Sequence, residues 1–204
     1  MVRRTKEEAQ KTRDEILTAA SKVFCDNGFA NSSLEDIAGE ANVTRGAIYW
    51  HFKNKNDIFE ALHDQLRCPL VELLLRELEE DHPDPISQLQ ENCTKLLIEL
   101  SEDAHQRRIL TLFMKKSDYH GDLECCKISH AEKKAEHLNA LKAYFEMAKS
   151  NSAHLKEFDS EALAQSISCF MKGVIMDFLE NPETMNVRKR VPVLMEIFFR
   201  GLKS

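Results

Sequence analysis

Between residues 41 and 56 the chain carries Arg45, Lys53 and Lys55, with Tyr49, Trp50 and His51 among them, and no acid. The formal net charge of the whole chain is −6, so this is local positive charge in an acidic background. Arginine can donate to a guanine edge or hold a phosphate, while Lys, Tyr and His donors suit phosphate oxygens. Gly46, with no Cβ, lets backbone come near a docked surface. Chemistry of this kind is recognition of duplex DNA: base-reading side chains bracketed by phosphate contacts. A helical hairpin with a solvated basic end would have the same composition, so the case rests on how these side chains are presented.

The stretch Leu34 to Phe52, LEDIAGEANVTRGAIYWHF, reads as two short helices around a tight turn. Leu34, Ile37, Ala38 and Ala41 fall on one face at helical spacing. Ser32 and Ser33 stand just ahead, with Glu35 and Asp36 three residues on from each, so an N-terminal cap is written twice. Asn42 tolerates the left-handed backbone that a sharp turn requires. Thr44 then caps the second helix, with Val43 and Ile48 placed to staple it. That layout predicts a helix-turn-helix whose second helix enters the major groove. Its outward candidates are Thr44, Arg45, Gly46, Tyr49, Trp50, His51, Lys53 and Lys55, with Ser33 from the first helix. Arg3 and Arg4 add either a frayed terminus or an arm that follows phosphates or the minor groove.

The run VTRGAIYWHFKNKNDIF, residues 43–59, resembles the signature of TetR-family transcriptional regulators. The opening MVRRTKEEAQKTRDEIL, residues 1–17, resembles the multidrug-efflux repressor branch of that family, the AcrR-like proteins. The resemblance is strong over about the first 60 residues and continues beyond them as a helical pattern with scattered echoes. It implies an all-α fold of about nine helices, with a DNA-binding domain at residues 1–55 and a ligand-binding and dimerisation domain at 56–204. Composition agrees on the fold class, since 6 Gly and 5 Pro are too few to punctuate an all-β chain of 204 residues. The acidic balance disfavours a non-specific DNA packer.

A first helix is expected from about Lys6 to Asp26, ended by Gly28, and another from near Asn56. Pro69 predicts a kink in the latter near residues 65–69, or a break at Cys68. Residues 81–85, DHPDP, predict a loop, and helices follow at about 86–101, 104–116, 122–150, 159–180 and 188–202. The last two are apolar over much of their circumference and need more than one neighbour. The resemblance implies that they form a four-helix dimer interface, with Ala162, Ile167, Val174, Phe178, Val191, Leu194, Met195 and Phe198 as its candidates. A monomeric core would account for the same pattern.

The resemblance further implies a small-molecule pocket whose occupation releases the operator. Its candidates are His63 and Arg67, then Leu110, Phe113 and Met114, then Phe170, Met171, Lys172 and Met176. Each Met or Phe also reads as plain core. Should His63 and Arg67 point inward, neutral or anionic aromatic effectors are favoured over cationic dyes; Arg67 pairing with a surface acid is the alternative.

No nucleophile elbow, glycine-rich phosphate loop or paired metal motif is present, and the 8 His residues are scattered, so neither an enzyme nor a cofactor is expected. The 6 cysteines lack zinc spacing, which predicts free thiols. Cys125, Cys126 and His130 leave open a metal or redox sensor. The charged N-terminus is unlike a signal peptide, and no apolar run approaches a bilayer span, so the expected location is the cytoplasm, with no membrane partner.

Overall fold

The computed structural model describes residues 6–66, 74, 76, 82–116, 123–124, 126–183 and 185–203. Among these residues there are nine α-helices and no strand. They are α1 (Lys6–Asn27), α2 (Leu34–Glu40), α3 (Arg45–His51), α4 (Lys55–Gln65), α5 (Pro85–Glu102), α6 (Ala104–Thr111), α7 (Cys126–Ala148), α8 (Ser160–Glu180) and α9 (Val187–Lys203). Arg3, Arg4, Arg67, Cys68, Pro69 and Cys125 lie outside the described residues, and with them the expected kink or break after α4.

The chain forms two compact units, one from residues 1–67 with 104–129 and the other from 68–103 with 130–204. The expected boundary at 55/56 follows the DNA-binding motif, whereas compactness groups the helices differently. The reason is that α6 packs on α1: Cys25 Sγ donates to the Arg108 carbonyl at 3.3 Å, and Ile109 and Leu112 are buried in the same core as Phe24 and Phe59.

In the first unit α1 buries Ile16, Leu17, Ala20, Val23 and Phe24. It ends at Gly28, whose φ of +78° suits a residue without a Cβ and whose N–H returns to the Phe24 carbonyl at 3.0 Å. Phe29 then folds back, its ring 5.1 Å from Phe24 and 5.1 Å from Phe59. Only one of the two predicted caps opens α2. Ser33 makes a full capping box with Asp36, while the Ser32 hydroxyl donates to the Gly28 carbonyl at 2.6 Å and closes α1 instead. Bonds from the Ser33 hydroxyl, then its backbone N–H, hold the Asp36 carboxyl below its usual range. That cap is therefore present at neutral pH and is lost as pH falls through the depressed value. Asn42 takes the left-handed backbone expected of it, with φ 52°.

Two more boundaries move. Pro85 belongs not to a loop but to the first turn of α5, behind the cap Asp84, where its missing N–H has no intrahelical partner to lose. The expected helix over 104–116 stays α-helical only to Thr111; residues Leu112–Lys116 form a π-helical turn. Widened turns of this kind re-aim side chains, and periodicity over so few residues cannot distinguish them from α.

The second unit packs α5, α7, α8 and α9 around Leu89, Cys93, Tyr144, Phe145, Met195 and Phe199. Tyr144 is fully buried, and its hydroxyl donates to the Pro85 carbonyl at 2.7 Å, tying α7 to the start of α5. Tyr144→Phe should cost about 1–3 kcal/mol in chemical denaturation, because a buried carbonyl loses its donor. Helix α8 bears on the expected absence of a bilayer span without overturning it. By length and composition it could cross a membrane, with a mean hydropathy of 1.3 over its best window. No unbroken apolar run is needed for that average, since Ser and Gly cost little beside Ile, Phe, Met and Val. Its buried positions Leu163, Ala164, Ile167, Met171, Val174 and Phe178 recur at helical spacing and enter the unit's own core.

Candidate nucleic-acid interface

Helix α3 is anchored by one fully buried side chain, Ile48. Thr44 caps it, its hydroxyl oxygen accepting from the Ala47 N–H at 3.2 Å, and Phe52 ends it beneath the Arg13 guanidinium, 5.0 Å from the ring centroid. With Ile48 inward, Arg45 and Tyr49 form one outward row and Gly46 and Trp50 the next. Trp50 is 75% exposed and Tyr49 49%. A large apolar ring this exposed on a capped, anchored helix has the form of an unoccupied contact surface.

Arg45 is already organised. One end of its guanidinium pairs with Glu35 of α2, and the other donates to the Tyr49 hydroxyl at 2.9 Å with Cζ 5.4 Å from that ring. The Tyr49 bond first, then the Glu35 charge, raises its pKa, so its cationic form is reinforced. At Gly46 an added Cβ would meet only the Thr44 hydroxyl, at 3.8 Å, so the protein's own packing does not demand glycine there. Ser33 is engaged in its capping box, His51 is half-buried edge-on to Trp50, and the Lys53 side chain is exposed.

Lys55 is placed differently from a phosphate-seeking side chain. Its ammonium donates to the Phe29 and Ser32 carbonyls at 2.7 and 3.0 Å, reaches Ala30 at 3.4 Å, and lies 4.3 Å from the Phe29 ring centroid. These are carbonyls of the turn after α1, the Phe29 one also accepting the Ser32 N–H at 3.3 Å, so the charge joins that turn to the start of α4. Lys55→Met should lower the stability of the first unit by about 1.5–3 kcal/mol, the usual value of charged hydrogen bonds, read as a shifted denaturation midpoint. A variant as stable as the parent, with DNA affinity reduced, would return Lys55 to the phosphate-contact set.

The effector candidates fall in both units. In the first, the Phe113 ring lies 4.8 Å from His63 and 4.7 Å from Phe59, with Leu110 and Met114 half-buried nearby in sequence. In the second, Phe170 stacks on Phe198 at 4.4 Å, Met171 is buried in the core, Met176 is half-buried and Lys172 is exposed.

Of the dimer candidates, Ile167, Val174, Phe178, Val191 and Met195 are buried within the single chain, so they are core. Leu194 and Phe198 are half-buried and Ala162 is exposed. The apolar side chains that α9 leaves outside are Val193, 58% exposed, and Ile197, 67%. Sequence reading passed over them, though they stand four apart and opposite the stripe Val187, Val191, Met195 and Phe199. Among the described residues Cys25, Cys93, Cys126 and Cys169 are in no disulfide, and no group of three His, Cys, Asp or Glu could hold a metal.

Residues 16–62 match the family model described as bacterial regulatory proteins, tetR family. Residues 84–204 match that of the MAATS-type transcriptional repressor, C-terminal region. The chain is 36% identical over 191 residues to the HTH-type transcriptional regulator TtgR of Pseudomonas putida, covering 92% of this chain and 89% of the relative. Among solved structures it is similar to NalD, the secondary repressor of the MexAB-OprM multidrug efflux pump in Pseudomonas aeruginosa, at 28% identity and a TM-score of 0.79, covering 96% of this chain and 98% of NalD. It is likewise similar to a SmeT–triclosan complex, SmeT being the repressor of the Stenotrophomonas maltophilia multidrug efflux pump SmeDEF, at 25% identity and a TM-score of 0.80, covering 94% and 91%.

Proposed function

The chain belongs to the TetR family of bacterial regulatory proteins, and on that premise we propose a ligand-released repressor that binds a palindromic operator as a dimer and controls an efflux-pump operon. It is a transcriptional regulator and not an enzyme. The observation that carries the reading is the outward face of α3, where Arg45, Tyr49 and Trp50 stand together. The efflux repressors NalD and SmeT, similar along nearly their whole length, support the choice of operon. A regulator of this kind works in the cytoplasm, where its DNA is.

Release is a population shift: the effector favours a conformation in which two recognition helices no longer match the operator. For the effector we place an aromatic or mainly apolar molecule against Phe113 and His63, a wall of one phenyl ring and an imidazole backed by the buried Phe59. Triclosan, the molecule in the SmeT complex, has that character. The π-helical turn that holds Phe113 gives the wall a segment able to repack.

Trp50 is the chain's single tryptophan, so its emission reports docking directly. A duplex selected from a random pool should change that emission at a concentration roughly 10³-fold or more below a scrambled duplex. Triclosan should reverse the change. Calorimetry on the DNA-free protein should show a hydroxylated aromatic acid binding more tightly than ethidium. No discrimination between duplexes would end the DNA reading, and tighter ethidium binding would end the effector assignment.

A further inference from the structure

Four acids lie on α2 and in the first turn of α4, and two of them hold the local backbone. Asp36 completes the capping box with Ser33. Glu40 pairs with Lys22 of α1 at 2.7 Å. Asp57 accepts the Lys53 backbone N–H at 3.0 Å, holding the exit from α3. Glu35 caps nothing. It reaches from α2 to α3 and takes one end of the Arg45 guanidinium, both side chains being 56% exposed.

An exposed ion pair contributes little to folding stability, so stability does not account for it. For a surface that docks on a polyanion, a carboxylate here is a cost: it repels phosphate and competes with it for the arginine. That cost is useful only if it falls unequally on different DNA sequences. On arbitrary duplex, Arg45 would gain a phosphate contact by giving up Glu35, an exchange of one anion for another. At a matching sequence the guanidinium can donate to guanine while the carboxylate still holds its other end. Penalising the wrong partner by an unpaired or repelling charge is how discrimination is commonly built.

We propose that Glu35 is a specificity-determining positioning residue, which fixes Arg45 against Tyr49 and disfavours docking on arbitrary duplex more than on the operator. This rests on the reading that α3 docks on DNA. The test uses the full-length protein, a duplex selected by it from a randomised pool, and a scrambled duplex of equal length. Glu35→Gln should tighten binding to the scrambled duplex roughly 3- to 10-fold, with binding to the selected one unchanged or weakened. The specificity ratio therefore falls, and Glu35→Ala should lower it likewise. In an Arg45→Ala background, Glu35→Gln should shift both duplexes by the same factor, since no guanidinium remains to be positioned. An unchanged ratio in the presence of Arg45, even with both affinities raised, overturns the proposal and makes Glu35 a plain repelling charge. A parent protein that does not prefer the selected duplex overturns the docking reading itself, which is a separate result.

Discussion

Arg45→Ala lowers operator affinity by roughly 1–3 kcal/mol per half-site, the usual worth of a bidentate arginine–guanine contact, and relaxes sequence preference at one base pair of each half. The fold should not notice. Arg45 is exposed, α3 is held by Ile48 and its Thr44 cap, and the ion pair with Glu35 lies at the surface. Unfolding curves for variant and parent should coincide while fluorescence titrations separate. Tyr49→Phe is the finer test: it keeps the ring under the guanidinium and deletes only the hydroxyl that accepts from Arg45 at 2.9 Å. It should lose part of what Arg45→Ala loses, and nothing further when added to it, because the two residues act together. Lys53→Ala, an exposed cation beyond the helix, should weaken every duplex alike and reduce the salt slope by about 1. Operator affinity equal to the parent's in both the Arg45 and the Tyr49 variant would contradict the docking of α3.

These residues were legible in the sequence because helix-turn-helix signals are local. A cap, a left-handed Asn and one buried Ile within a few residues of each other dictate which side chains face out. Ser33, Asn42, Thr44 and Ile48 accordingly do in the structure what their types and spacing predict. Lys55 was not legible, since its partners are carbonyls more than twenty residues earlier in the chain. The π-helical turn at Leu112 differs from α by a single hydrogen-bond step, which apolar periodicity does not register. On α8 and α9, periodicity identified apolar residues correctly as a set. It could not divide that set between the chain's own core and its outside, because both lie on helices with several neighbours. Pro69 remains a sequence expectation, outside the described residues.

That division matters for how the regulator assembles. Val193→Asp with Ile197→Asp should convert a dimer to a monomer of 23.5 kDa and cut operator affinity roughly 10²- to 10⁴-fold, the avidity of a second linked half-site. Neither side chain supports the protomer: they are 58% and 67% exposed, on the side of α9 away from Val191, Met195 and Phe199. A lone chain would leave two branched apolar groups in water, and α8 likewise exposes Ala162, Cys169 and Gly173, small residues that allow close approach of another helix. In a two-fold pair each patch meets its own copy, so the double variant sets four carboxylates against one another at a single interface. Like charges desolvated together cost far more than the apolar contact they replace. Helix content and the denaturation midpoint of the monomer should survive, since the second unit's core is untouched. Light scattering decides the matter: a doubled mass persisting in the variant at micromolar concentration places the interface elsewhere, whatever the affinity for DNA has done.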